Sequence, residues 1–195
     1  MERIKTTVGV YAGILRWSDG KLLLRKRTEI PSDIPGKSFR GNWELPGGGV
    51  EEAETVPYHH LAVELLREIE EEVGIPIQLG IPHASSISPM PPMHAVLFKG
   101  PGGYDLAMVT PIVTSLEPTK GETVWVSIME LEQLAKEFEP ADKKTGKDGK
   151  GLLGGYGKRM HCMALKALCS SPRAFFRTEA ERMLLAIQKP WLKLP

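Results

Sequence analysis

Two cysteines in 195 residues and no apolar run of bilayer length exclude two ways of building a protein before any pattern is read. Cys162 and Cys169 lie seven apart in a segment of helical spacing. That puts them about 10 Å apart along a helix axis, beyond the reach of a disulfide. Free thiols, and a start at Met1–Lys5 that leads into a strand pattern rather than an apolar signal segment, set a cytoplasmic expectation. No stretch is long enough to span a bilayer, so no membrane partner is expected. An excess of either charge is also lacking: 25 Lys and Arg face 24 Asp and Glu, net +1. No global field gathers nucleic acid or anionic lipid, and no basic groove with interleaved aromatics is present, which speaks against a nucleic-acid partner. There is no internal repeat. With 42% apolar residues the chain is long enough for one domain with a substantial core, expected over residues 1–172. Residues 173–195 read as a helical extension packing on that domain or on a partner subunit.

Residues 6–17 and 21–27 read as two strands around the Ser18-Asp19-Gly20 turn. Glu29 to Asn42 suits a surface loop over a ligand site. There Phe39 could stack a base and Arg40 could grip a phosphate, or Phe39 could pin the loop to the core with Arg40 solvated. Strands follow over Met93–Lys99 and Asp105–Leu116, with a glycine turn before Tyr104, and a short one over Thr123–Ser127. Helical spacing marks Met129–Phe138, Met160–Ser170 and Arg173–Gln188, the last two broken at Pro172. Pro140 to Lys158, with five lysines among six glycines, reads by default as a flexible loop, or else as a basic lid over a polyphosphate. Trp17, Trp43 and Trp125 fall in strand patterns and are expected in the core. His59 and His60 are adjacent and point about 100° apart on a helix, so they suit solvent or a cap better than one shared metal.

The unusual stretch is Gly48 to Ile75. On a helix, Ala62, Leu65, Leu66, Ile69 and Val73 form one stripe, and Glu64, Glu68, Glu71 and Glu72 form another. Like charges at i,i+3 and i,i+4 repel, and Arg67 is the one cation on that face. Gly74 and Pro76 close the helix, so the carboxylates crowd the negative end of its dipole, where stability alone would select Lys or Arg. A divalent cation with hard oxygen ligands, Mg²⁺ or Mn²⁺, would make sense of that placement. The alternative is a solvated acidic face.

Arg67 to Ile75 matches the Arg-Glu-apolar-x-Glu-Glu-x-Gly-apolar half of the Nudix box position by position. Gly48 and Glu54 match the other half, and Trp43-Glu44-Leu45-Pro46-Gly47-Gly48 is similar to the strand and turn that precede it. The chain thus resembles the Nudix hydrolase family. The resemblance implies an α/β fold: an α/β/α sandwich with a mixed β-sheet. One departure is visible, since twelve residues separate Glu54 from Arg67 where the family usually has about seven. An ungapped match would put Ala53 and His59 in the Gly and Glu places. An insertion of five around residues 56–60, absorbed by loop or by an earlier helix start, is preferred.

The family cleaves a diphosphate joining a nucleoside to a further group, using water and divalent metal, so the resemblance implies a small-molecule nucleotide substrate. ADP-ribose and nucleotide sugars are favoured, and Pro91 is placed like a proline that marks ADP-ribose-cleaving members. Carried over by position, Glu68, Glu71 and Glu72 with the Gly48 carbonyl are the metal ligands, Glu68 is also a general base, and Arg67 orients a carboxylate. Glu122, then Glu117, are alternative bases on a later loop. Arg40, Phe39 and Glu44 are the substrate-binding candidates, and a homodimer is a further expectation. The other readings are a nucleotide-binding or regulatory module without turnover and a pyrophosphohydrolase of nucleoside triphosphates or RNA caps.

Overall fold

The computed structural model describes residues 6–28, 35–50, 58–76, 94–100 and 103–188. Strand β1 (Thr6–Arg16) lies at the centre of a mixed sheet. Its alternation sends Val10, Ala12 and Ile14 to one face and Leu15 to the other, so each face buries its own core. β2 (Leu22–Lys26) pairs antiparallel with β1 through Leu15 and Leu22, completing the expected hairpin. Beyond it lie β3 (Lys37–Ser38), β4 (Trp43–Glu44) and β5 (Gly47–Gly49). β4 pairs antiparallel with β2, placing Glu44 opposite Arg25, while β5 runs antiparallel along Gly9–Tyr11 of β1. On the other side β1 runs parallel to β7 (Gly103–Thr114), which carries the antiparallel edge strand β6 (His94–Gly100). β8 (Thr123–Val126) pairs with β2.

Helix α1 (Tyr58–Val73) covers one face with Leu61, Leu65, Ile69 and Val73, meeting Val10, Ala12, Ile14 and Leu23. Ala62 and Leu66 lie half-buried at the edge of that stripe. The opposite face is covered by α2 (Ile128–Lys136), α3 (Arg159–Leu168) and α4 (Ala174–Gln188). The layers are therefore helix, mixed sheet, helix. α4 adds Ala180 and Leu184 to the same core as α3. Cys162 and Cys169 are free thiols. Among the described residues no helix is long and apolar enough to cross a membrane.

Three local expectations need correction. Trp17 is 66% exposed, because β1 ends at Arg16 and the indole falls on the turn rather than in the sheet, while Trp43 and Trp125 are half-buried. The stretch 140–158 is not a free loop. Its β9 (Ala141–Asp142) pairs with β3, and the Gly149, Leu153 and Lys143 amides bond the carbonyls of Arg40, Trp43 and Gly36. Buried Asn42 gives its amide to the carbonyls of Glu139 and Lys150, sewing the segment onto the 36–43 loop. Backbone groups that composition would leave to water are paired here, which fixes the segment. Its basic-lid reading loses the mobility it needs. Glu54, Val56, Pro57 and Pro91 lie outside the described residues.

Candidate active site

α1 begins at Tyr58, so Tyr58, His59 and His60 of the expected insertion are helical and Arg67 is its tenth residue. At the other end Gly74 adopts φ +66° and its amide bonds the carbonyls of Ile69 and Glu70. A residue with a Cβ is strained in that conformation. The last turn of α1 holds no basic residue. Lys120 supplies the charge from the β7–β8 loop, its ammonium 3.0 Å from the Glu70 carbonyl, while the Thr119 amide bonds the Val73 carbonyl.

The four glutamates do not form one set. Arg67, on the exposed surface, donates to Glu64 at 2.9 Å, Glu68 at 2.6 Å and Glu71 at 2.6 Å. Each contact counts for little in water. Together they gather three like-charged carboxylates around one guanidinium.

Glu72 turns the other way, toward the sheet. The Gly47 amide donates to its Oε2 at 2.8 Å, and Arg25 lies 2.5 Å from its Oε1. Gly47 has φ +139°, with its backbone packed against Val10 and Tyr11. That crossing needs glycine, and it aims the amide at the helix. Burial pushes the Glu72 carboxyl up to about 7, against the pull of Arg25 and the Gly47 amide and with a further push from Glu44 and Glu68.

Glu44 is fully buried, its oxygens facing Arg25 at 2.7 Å and, on the other side, Arg27. Burial raises its pKa while both guanidinium groups oppose the rise. The expectation that Glu44 touches substrate is therefore corrected: it lies beneath the site and holds two arginines. Arg25 and Arg27 were missed as site residues. The signal was available, because in Arg25-Lys26-Arg27 the outer two share one face of a strand opposite the Glu44 strand.

Arg27 also lines a cleft of about 230 Å³ with Lys26, Thr28, Arg40, Gly41, Glu122 and Asp148. Glu122 is tied to Lys26 at 3.0 Å, so it belongs to this cleft. Glu117 accepts from the Trp125 indole at 2.7 Å. Arg40 is neither free nor merely solvated, since it donates to Asp148 at 2.6 Å and to the Gly146 carbonyl at 2.7 Å. Phe39 is half-buried beside it.

Gly48 bears on the metal question. A Cβ there would stand 3.1 Å from Glu68 Oε1, so the bare backbone of β5 lies against that carboxylate. The donors Glu68, Glu72 and the Gly48 backbone are hard oxygens on rigid elements, which fits Mg²⁺ or Mn²⁺. Among the described residues no three acidic, histidine or cysteine side chains converge closely enough to hold an ion as they stand. Arg67 and Arg25 divide the carboxylates between them.

The NUDIX domain family model matches residues 6–148, close to three quarters of the chain. The chain belongs to the Nudix family. Among curated proteins it is similar to the RNA pyrophosphohydrolase of Gluconobacter oxydans (strain 621H), 39% identical over 56 residues, which is 29% of this chain and 25% of that relative's length. Among solved structures this Nudix chain is similar to the MutT protein from Methanosarcina mazei Go1, at 20% identity and TM-score 0.45 with both chains covered in full. It is also similar to the NUDIX domain of Shewanella oneidensis NrtR complexed with ADP ribose, at 18% identity and TM-score 0.45, over 66% of this chain and 77% of that one. These likenesses do not bear on the substrate.

Proposed function

We propose that the chain hydrolyses the diphosphate bond of a nucleoside diphosphate linked to a further group, of ADP-ribose or nucleotide-sugar type, with Mg²⁺ or Mn²⁺. The observation that carries this is the meeting of β5 with α1, where the Gly47 amide fixes Glu72 and Gly48 lies against Glu68. Glu68, Glu71, Glu72 and the Gly48 carbonyl would hold the cation. Bound there, it supplies charge neutralisation for the diphosphate and lowers the pKa of a water.

The chain's own residues do the rest. Gly47 and Arg25 set the direction of Glu72, and Arg67 keeps Glu68 and Glu71 together. Glu68 is the general base in this reading, with Glu122 the alternative. Lys26, Arg27 and Arg40 give the adjoining cleft cations for phosphate oxygens, with Arg40 held in place by Asp148 and Phe39 beside it for the base. A cytoplasmic setting belongs to the same reading, and so does a homodimer. The near-neutral charge favours a small nucleotide over RNA.

A second reading, a nucleotide-binding module without turnover, is favoured by one observation: Arg25 and Arg67 already hold the carboxylates. Product release should be followed by chromatography over ADP-ribose, nucleotide sugars, dinucleotides, nucleoside triphosphates and 5′-triphosphorylated RNA, with Mg²⁺, with Mn²⁺ and with chelator. Metal-dependent cleavage of ADP-ribose or a nucleotide sugar is expected. Ligand-induced stabilisation with no turnover would instead establish the binding module.

A further inference from the structure

Arg25 is held in an unusual posture. One of its nitrogens, Nη2, serves two carboxylates, 2.5 Å from Glu72 Oε1 and 2.7 Å from Glu44 Oε1. Both are ion-pair contacts, close in distance but not aligned as hydrogen bonds, and Glu44 Oε1 is buried without a hydrogen-bond partner. The Arg25 Nε–H is also buried and without one. A guanidinium beside a carboxylate can form two parallel hydrogen bonds through its planar fork, and that is its strongest arrangement. Here the fork is made on neither carboxylate, and on the Glu44 side it leaves an orphan donor on one partner and an orphan acceptor on the other. Both are costly to leave unmade in a buried site.

The ions around it alternate in sign: Arg27, Glu44, Arg25, Glu72. The last of them, Glu72, is the one carried on α1 and bonded to the Gly47 amide of β5. Glu44 is the anchor, since it is fully buried and Arg27 holds its other oxygen. We infer that Arg25 is a positioning residue that stands in for the divalent cation on Glu72. When a cation binds, Arg25 leaves Glu72 and completes its fork on Glu44. The site thereby exchanges one positive partner for another, and the carboxylate it needs is kept oriented in the meantime. This inference rests on Glu72 being a metal ligand, as proposed above.

The test reads cation binding, not turnover. Mn²⁺ alone is titrated calorimetrically into wild type, Arg25→Gln and Glu44→Gln, each first shown to melt cooperatively. Removing the competing charge in Arg25→Gln should tighten Mn²⁺ binding on the order of tenfold, the effect of one charge a few ångströms from a partly screened site. Glu44→Gln takes away the anchor, leaves Arg25 to Glu72, and should weaken binding by a similar factor. An Arg25 that only supports the fold would not give opposite signs, and unchanged or weaker binding in Arg25→Gln overturns the inference.

A measurement on the wild-type chain covers a variant that does not fold. The Arg25 Nε–H signal in a ¹⁵N-arginine spectrum, assigned by its loss in Arg25→Lys, should shift on saturation with Mg²⁺. A signal that stays put while calorimetry shows Mg²⁺ bound overturns the inference and leaves the metal site standing. Wild type that binds no divalent cation at all overturns both.

Discussion

Helices α1 and α2 are built to opposite rules. α2 has a complete capping box at Ser127 and Glu130, an acid in its first turn and Lys136 in its last. Each feature complements the helix dipole or satisfies an end group. α1 has no acid in its first turn and no base in its last, and it sets Glu68, Glu70, Glu71 and Glu72 at its negative end. The same contrast holds for buried carboxylates. Glu132 of α2 lies 2.5 Å from Nε2 of fully buried His161, whose Nδ1 accepts the Gly157 amide. That assignment makes the imidazole a neutral Nε2–H donor and closes the network. Glu72 of α1 is shared between a backbone amide and an arginine whose own donors are not all satisfied. α2 follows the dipole rules at both ends, whereas α1 leaves its N-terminal turn without an acid and crowds four acids at its C-terminal end, where they are actively unfavourable. Violations confined to one place are what a functional site leaves behind.

The largest expected effect breaks this contrast at Glu72. Glu72→Gln should lower kcat by about 10²–10³-fold, the scale seen when one electrostatic group of a reaction centre is removed. The metal-free chain should be as stable as wild type or more so, because a half-buried charge among carboxylates is gone. Steady-state kinetics and thermal melting read the two effects separately, and a marked fall in melting temperature would make Glu72 structural. At the α2 pair the outcome should invert. Glu132→Gln should cost about 1.5–3 kcal/mol, as for a buried hydrogen bond to a charged group, while kcat stays unchanged. Urea unfolding followed by an activity assay of the folded variant decides it.

The two sites should also respond to pH with opposite signs. Glu72 is raised in the fold from 4.5 to about 7, so protonation favours the fold. Its contribution is full below the unfolded value and is lost as pH rises through about 7. His161 is lowered from 6.5 by burial, with Glu132 pulling back. Protonation there favours the unfolded chain, so its contribution is full above 6.5 and is lost as pH falls below. Metal-free Glu72→Gln should lose the decline between pH 4.5 and 7 and keep the acid-side loss from His161. Chemical unfolding across that range checks the signs.

How much of this was legible follows from which forces were local. The end of α1 was readable because Gly74 and Pro76 act on their own neighbours, and the strands were readable from their alternation. The grouping of the glutamates was only half readable. A helical wheel puts Glu72 with Glu68 and Glu71, but the Gly47 amide and Arg25 arrive from strands that only the folded sheet brings near. Glu44 looked like a contact residue, and three-dimensional pairing across β2 and β4 buried it instead. The 140–158 segment looked loose for the same reason: its composition is that of a loop, and the bonds that fix it go to residues about a hundred positions earlier. The His161–Glu132 pair joins two helices and left no pattern in either one.

The smallest effect sharpens the comparison of helix ends. α2 carries its C-terminal cation on its own last turn, whereas α1 borrows Lys120 from a loop. A charge near the last carbonyls is worth about 0.3–1 kcal/mol wherever it comes from. Lys120→Met and Lys136→Met should therefore cost about the same in urea unfolding without metal. They should part when Mg²⁺ is present. A divalent cation among the α1 carboxylates would itself offset the negative end of that dipole, so the cost of Lys120→Met should shrink while that of Lys136→Met stays. Equal costs with and without Mg²⁺ would mean that the α1 carboxylates hold no cation close enough to matter to their own helix, and that the disorderly end of α1 has some other explanation.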